Sequence, residues 1–254
     1  MPVRRMRPVS IIGGVFDGVY GGLDFAVTND HSAFCIIEPE RPLNPEWDYA
    51  KSLNAKVLAR ELGPDTWGAD YDKKVPKYLP WQYTITSLHR YPVGYDTQSL
   101  RDSAQRVISS PQVQDAGGIR TAADGTSMQK AIVQSLQYGP LALEDVYGII
   151  GVSITTGSSE SDGSEGFRNV SKNKLLGLAK HLLGLGRLHI NPQLPHAGLL
   201  IDELRNFVPK LTQAGNIVFE ADTREGKHDD LILSASVALW LAASTASLST
   251  ASPP

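Results

Sequence analysis

Four aspartates stand where this chain could do chemistry. Asp24 lies inside the apolar run Tyr20 to Ala26, Asp124 closes the short run from Ile119 just before Gly125, and Asp229 and Asp230 open an apolar C-terminal segment. An acid within an apolar run is costly to bury without a purpose, which singles out Asp24. In α/β sheets, strand ends and the N-termini of covering helices often converge on one edge, where ligands bind. Carboxylates gathered there repel one another unless cations sit among them. Hard oxygen donors of this kind suit magnesium or manganese. Two such ions about 4 Å apart can activate a water and stabilise the leaving oxygen in phosphodiester hydrolysis. Each residue also has an ordinary explanation. Asp229 or Asp230 suits an N-cap or first helical turn, favoured by the helix dipole. Asp124 before Gly125 suits a turn. Asp30, in the polar Thr28-Asn29-Asp30-His31 stretch, reads as a turn residue rather than a ligand. Spacing alone leaves these alternatives open.

The elements that would position the acids follow from patterning. Val19 to Ala26 and Ser32 to Glu38 read as two strands joined by an Asn/Asp turn, a hairpin. Residues 39–80 are proline-rich and interrupted by one helical stretch, Tyr49 to Leu62, and read as a surface insertion. Tyr83 to Tyr91 is a third strand by its β-branched and aromatic content. Asp96 predicts an N-cap for a helix carrying Leu100, Ala104 and Val107 on one face. A strand from Ile119 to Asp124 precedes an amphipathic helix marked by Met128, Ala131, Ile132 and Leu136. Tyr147 to Thr155 is a fifth strand. The segment 156–169 is polar and glycine-rich, predicting a mobile loop. Helices are expected at about 172–185 and 196–207, and a strand at Asn216 to Glu220. The last helix, from Asp229 to about Ala243, is apolar nearly all round and so should be buried. Residues 246–254 read as a disordered tail. Strands first, then alternating helix and strand, imply an α/β layer fold with a mixed sheet.

Bulk properties bound the function less tightly. The 254 residues suffice for one large α/β domain. Charged residues at 20% and hydrophobic residues at 41% are those of a globular chain, not a disordered one. The lone Cys35 excludes an internal disulfide and a cysteine-rich zinc site, and its apolar surroundings make it a small buried hydrophobe. No apolar run has the length of a membrane span and the start lacks a secretory signal, so no membrane partner and a cytoplasmic location are expected. A net charge of −3 argues mildly against a nucleic-acid-coating protein. Composition averages over faces, however, and basic residues cluster at Arg4, Arg5 and Arg7, at Lys73, Lys74 and Lys77, and at Lys172 and Lys174. The plainer reading of each cluster is a solvated surface.

Several stretches together resemble the nuclease domain of phage and prophage terminase large subunits, from about Val19 to Trp240. GGLDFAVTNDHSAF is similar to that family's opening strand and aspartate-containing turn. AADGTSMQKAIVQSL sits where the family has a second acid before a glycine-containing turn and helix. GVSITTG, NVSKNKLLGLAKHLLGLGRLHI and LLIDELRNF follow in the family's order. GKHDDLILSASVALW closes it, a His-Asp-Asp run directly opening an apolar helix.

The resemblance implies a ribonuclease H-like fold, a mixed central sheet flanked by helices, spanning residues 1–245 as a single nuclease domain. It implies an endonuclease that cuts double-stranded DNA during viral genome packaging with two divalent ions, Mg2+ or Mn2+. On it, Asp24, Asp124, Asp229 and Asp230 hold the metals and His228 orients the site or a water, although His228 also suits an exposed turn. Lys172 and Lys174 become candidate phosphate contacts, against the plainer reading of solvated lysines at a helix start. Phosphate contacts carry affinity without base information, so no sequence-specific recognition is expected. Expected partners are a terminase ATPase motor, the small terminase subunit and a portal, in the host cytoplasm of a phage.

Three departures qualify the likeness. The 39–80 stretch is bulkier than a short strand connection, and the DGTS turn after Asp124 lacks a spaced glycine pair. No G-x-x-x-x-G-K-[ST] occurs, and the glycines of IIGGVFDGVYGG lack the lysine that reaches phosphates. The chain is therefore expected either as an excised domain or as a separate nuclease working with a motor chain. The rival classes are an actin-like or sugar-kinase-like phosphotransferase, another ribonuclease H-like nuclease such as a junction resolvase, and a non-catalytic packaging module.

Overall fold

Strands buried on both faces build the centre of the molecule. The computed structural model describes residues 18–26, 30–47, 78–127, 129–157, 159–211, 217–221 and 229–250. β1 (Val19–Asp24) and β2 (Ala33–Glu40) form the expected antiparallel hairpin, with Tyr20 opposite Ile37 and Asp24 opposite Ala33. β3 (Gln82–Arg90), α1 (Thr97–Ile108) and the short α2 (Pro111–Asp115) come next. Asp96 caps α1 as its type predicts, accepting from the Ser99 amide at 2.9 Å. β4 (Ile119–Asp124), α3 (Gln129–Tyr138) and β5 (Val146–Thr155) alternate. β6 (Ser161–Asp162) and β7 (Arg168–Ser171) then lead directly into α4 (Lys172–Gly184). β8 (Leu188–Ile190) and α5 (Ala197–Asn206) precede a separate antiparallel pair, β9 (Phe207–Leu211) and β10 (Ile217–Ala221). The chain closes with α6 (Asp230–Thr250).

Eight strands form one mixed sheet in the order β6-β7-β5-β4-β1-β2-β3-β8. β4 runs parallel to both β1 and β5, β5 parallel to β7, and β3 parallel to β8. Side chains alternate across the sheet, so Val19 and Leu23 point one way and Tyr20, Gly22 and Asp24 the other. The first face packs with Phe34, Ile36, Ile119 and Ala123 against Leu100, Ala104 and Ile108 of α1, Val113 of α2, and Val133 and Leu136 of α3. The second face carries α6, which lies on β1 and β4 and is itself flanked by α4 and α5. This position explains why α6 is apolar all round: Leu231, Ile232, Val237, Ala238 and Leu239 are all at most 1% exposed. Gly22 is where the helix backbone meets the sheet, since a Cβ there would stand 2.0 Å from the Ser234 carbonyl oxygen. Cys35 is a buried hydrophobe, and burial pushes its thiol well above the ordinary range.

Several expectations need correction. The segment 156–169 is not without packing. β6 pairs with β7 at the sheet edge, and Phe167 is 2% exposed beside Gly125 and Gly151, an anchor hidden among serines and glycines. Helix 196–207 stops at Asn206 because Phe207 turns into β9, whose pairing with β10 outweighs the helical pattern. The final helix runs to Thr250 rather than Ala243, so 246–250 are helical and only 251–254 of the expected tail lie outside the described residues. Residues 40–82 form a compact unit of their own. Within it Leu43 and Tyr78 make an isolated antiparallel bridge, and the Arg41 guanidinium lies 5.3 Å from the Tyr78 ring centre. The helix expected at Tyr49–Leu62, the lysines 73, 74 and 77, and Arg4, Arg5 and Arg7 lie outside the described residues. No helix among the described residues is long and apolar enough to cross a membrane.

Candidate metal centre

Strand register alone brings the first two acids together. β1 and β4 are parallel neighbours with Leu23 beside Ala123, so Asp24 and Asp124 end adjacent strands at the same level. Neighbouring strands lie about 4.8 Å apart, and both residues occupy the α6 side of the sheet. α6 then delivers the second pair. It runs antiparallel to β1, with Thr245 near Tyr20, Ser234 and Ala238 against Gly22, and Asp229 and Asp230 within electrostatic reach of Asp24. The helix therefore points its N-terminus, the positive end of its dipole, at the carboxyl ends of β1 and β4. Asp24, Asp124, Asp229 and Asp230, expected from opposite parts of the sequence, share one edge.

A fifth acid joins them. One oxygen each from Asp30, Asp229 and Asp230 lie within 4.8 Å of one another. A single cation could bridge that spacing at ordinary metal–oxygen lengths of about 2.0–2.6 Å. Asp30 also does what its turn composition predicts, accepting from the His31 amide at 3.0 Å. His31 in turn bonds the Tyr91 carbonyl oxygen through Nδ1 at 2.8 Å, tying this loop to the end of β3. Local sequence shows the turn contact of Asp30 but not its place in the acid cluster. The hairpin register supplies the signal: Asp24 faces Ala33, so Asp30 follows close after Asp24 in the same connection and acts on its charge.

The electrostatics are those of crowded, partly buried acid. Burial raises the Asp24 carboxyl well above its usual range, and the charges of Asp124, Asp230, Asp229 and Asp30 raise it further. Asp230 rises to about 7, first through burial and then through Asp30, with Arg90 opposing. Arg90, at the end of β3, donates to Asp230 Oδ2 from Nε at 3.3 Å and from a terminal nitrogen at 3.1 Å. Burial also raises Asp124, against the pull of Thr126 and the Lys172 charge. Thr126 donates to Asp124 Oδ1 twice, from its amide at 2.9 Å and its hydroxyl at 2.5 Å, while the Ile154 amide donates to the same hydroxyl at 2.8 Å. Asp124 thus has one oxygen committed to its own turn and the other available to the site. The DGTS turn, which lacks the spaced glycines of the resembled family, holds its acid by a threonine instead.

Lys172 opens α4 behind the cap Ser171, ion-pairs with Asp229 and lies 5.6 Å from the Phe207 ring centre. Lys174 ion-pairs with Glu160, so the structure brings Lys172 and not Lys174 to the acids. His228 lies outside the described residues. Sequence reasoning missed Arg90, Thr126 and Glu203. Glu203 on α5 is 4% exposed, and its Oε2 accepts from the Ile232 amide at 2.8 Å. Burial raises its carboxyl to about 8. Nothing in the pattern LLIDELRNF marks that acid as inward-facing, because its helix also carries Asp202 on the exposed side.

The residues present fit divalent cations. Five carboxylates converge on one edge, and among the described residues three of them already hold cation-bridging spacing. No protein-family model and no curated protein matches the chain. Solved structures do. The chain is 10% identical to a mutant of the large terminase subunit from bacteriophage Sf6 with calcium, over 87% of this chain and 88% of that one, with a TM-score of 0.50. The large terminase nuclease from thermophilic phage G20c with bound magnesium shows 18% identity over 89% and 85% of the two chains, TM-score 0.49. The human cytomegalovirus terminase nuclease domain shows 14% identity over 88% and 82%, TM-score 0.47. The mixed eight-stranded sheet with helices on both faces is a ribonuclease H-like fold, as in the large terminase subunit structure from bacteriophage Sf6.

Proposed function

We propose that this chain is a divalent-metal-dependent nuclease that hydrolyses phosphodiester bonds of double-stranded DNA during viral genome packaging. The observation that carries the reading is the convergence of Asp24, Asp30, Asp124, Asp229 and Asp230 at the carboxyl ends of β1 and β4. The likeness to terminase nuclease structures, two of which hold magnesium or calcium, supports it. Asp24 and Asp124 would hold one ion from the sheet, and Asp30, Asp229 and Asp230 would complete the ligand set from the hairpin loop and α6. A bound pair of such ions supplies an activated water and neutralises charge on the leaving oxygen. The chain's own residues supply the rest. Thr126 keeps one Asp124 oxygen turned inward, Arg90 fixes Asp230, and Lys172 stands ready to exchange Asp229 for a DNA phosphate. Nuclease function occupies residues 1–245, and translocation falls to a terminase ATPase motor, with a small terminase subunit and portal as further partners.

Supercoiled plasmid incubated with the purified chain and Mn2+ should become nicked and then linear, and chelator should stop the reaction. Asp24→Asn should abolish cutting while leaving a cooperative thermal transition. Absence of cutting with both Mg2+ and Mn2+ at low salt would overturn the reading. A strong preference for four-way junctions over linear duplex would reassign the chain to the resolvases.

A further inference from the structure

Asp229 occupies the N-cap position of α6: its carbonyl oxygen accepts the first helical bond, from the Leu233 amide at 2.9 Å, and Asp230 begins the helix. An aspartate there ordinarily turns its own carboxylate onto the amide two or three residues on. Here the amide three residues on, that of Ile232, is taken by Glu203 from another helix at 2.8 Å. The Asp229 carboxylate instead pairs with Lys172 and lies in the cluster with Asp30 and Asp230. Glu203 is 4% exposed and its second oxygen, Oε1, is buried without a hydrogen-bond partner. A buried acid with one unsatisfied oxygen is costly, and replacing it with an apolar residue would relieve that cost unless the bond it makes has a use.

We infer that Glu203 caps α6 in trans, and that this bond releases the Asp229 carboxylate from capping so that it can serve as a metal ligand. Glu203 is thus a positioning residue, acting on the ion only through Asp229. When it is removed, the Ile232 amide recruits Asp229, and the cluster loses an oxygen. The inference rests on the proposed metal-dependent reading, and its test measures metal binding and stability apart from DNA cleavage.

Mn2+ binding to the full chain, followed by electron paramagnetic resonance or calorimetry, separates the outcomes. Glu203→Leu should weaken Mn2+ binding at least tenfold and lower kcat for plasmid cutting, with KM for DNA little changed. Glu203→Gln retains an acceptor for Ile232 and should restore most of the affinity. Equal Mn2+ affinity in Glu203→Leu and the parent would overturn the inference, while a parent that binds no Mn2+ would overturn the functional reading itself. A second pair of variants serves if Glu203→Leu does not fold. Asp229→Ala and Asp229→Asn should melt at the same temperature, because neither side chain caps the helix. If Asp229→Ala melts several degrees below Asp229→Asn, which can cap as aspartate does, then Asp229 is the cap and Glu203 is not.

Discussion

Gly22 and Ser234 stand closer than any side chain would allow: a Cβ on Gly22 would lie 2.0 Å from the Ser234 carbonyl oxygen and 2.7 Å from the Ala238 nitrogen. Both partners are backbone atoms of a buried helix, so neither can rotate aside. Gly22→Ala must lift α6 from β1, and overpacking of this kind costs about 1–3 kcal/mol or more. The lift moves Asp229 and Asp230 away from Asp24. Denaturant unfolding should show the loss of stability, and plasmid cutting should fall further than stability alone explains. A Gly22→Ala protein as stable and active as the parent would show that the helix does not sit where this contact places it.

The acids make stability depend on pH in an unusual direction. Asp24, Asp230 and Glu203 have carboxyl values raised on folding, Asp230 to about 7 and Glu203 to about 8. Between the unfolded value near 4 and these folded values, the native chain binds more protons than the unfolded one, so stability falls as pH rises. His89, lowered chiefly by burial, works the other way below its ordinary value of 6.5. The clean window is therefore pH 6.5 to 8. In chelator the melting temperature should drop by several degrees across it, and Mn2+ should raise and flatten the curve. A metal-free melting temperature that climbs from pH 6.5 to 8 would contradict the crowding of these groups.

Thr126 joins the Asp124 turn to β5, with the Ile154 amide donating to its hydroxyl and that hydroxyl donating to Asp124. Thr126→Val keeps the shape and removes the oxygen. An amide left without its partner costs about 1–3 kcal/mol, and Asp124 gains freedom to leave its inward rotamer. Cutting should slow by about tenfold or more, in line with about 1.4 kcal/mol per decade of rate, while Thr126→Ser should retain activity. Equal rates for the valine and serine variants would rule out the hydroxyl as the element that holds Asp124.

Phe167 tests how the polar segment before α4 is held. Its ring lies against Gly125 and Gly151, where an added Cβ would stand 2.2 Å and 2.4 Å from it. Phe167→Ala should cost about 3–5 kcal/mol and increase hydrogen exchange in β6 and β7. Unchanged exchange there would mean that the sheet pairing, not the ring, secures the edge.

The fold was legible wherever one local signal dominated. Asp24 declared itself because an acid broke an apolar strand, Asp96 because its cap chemistry is local, and α6 because it is apolar on every side. Asp30 makes the turn bond to His31 that its composition predicts, while its place beside Asp229 and Asp230 is a tertiary contact that composition does not show. β9 was missed because it starts at Phe207 directly after α5, where the helical pattern runs on into it, and three-residue β8 is too short to show alternation. Phe167 was hidden by its neighbours, a single apolar residue among serines and glycines. Arg90 and Glu203 act across element boundaries, and no window of sequence contains both ends of their bonds.

The antiparallel run of α6 along β1 has a consequence for how the acid cluster is assembled. The sheet acids are translated well before Asp229 and Asp230, which follow on α6. Until that helix settles over Gly22, the strands carry only Asp24 and Asp124 of the cluster. The cluster is thus complete only once segments distant in the chain have packed together.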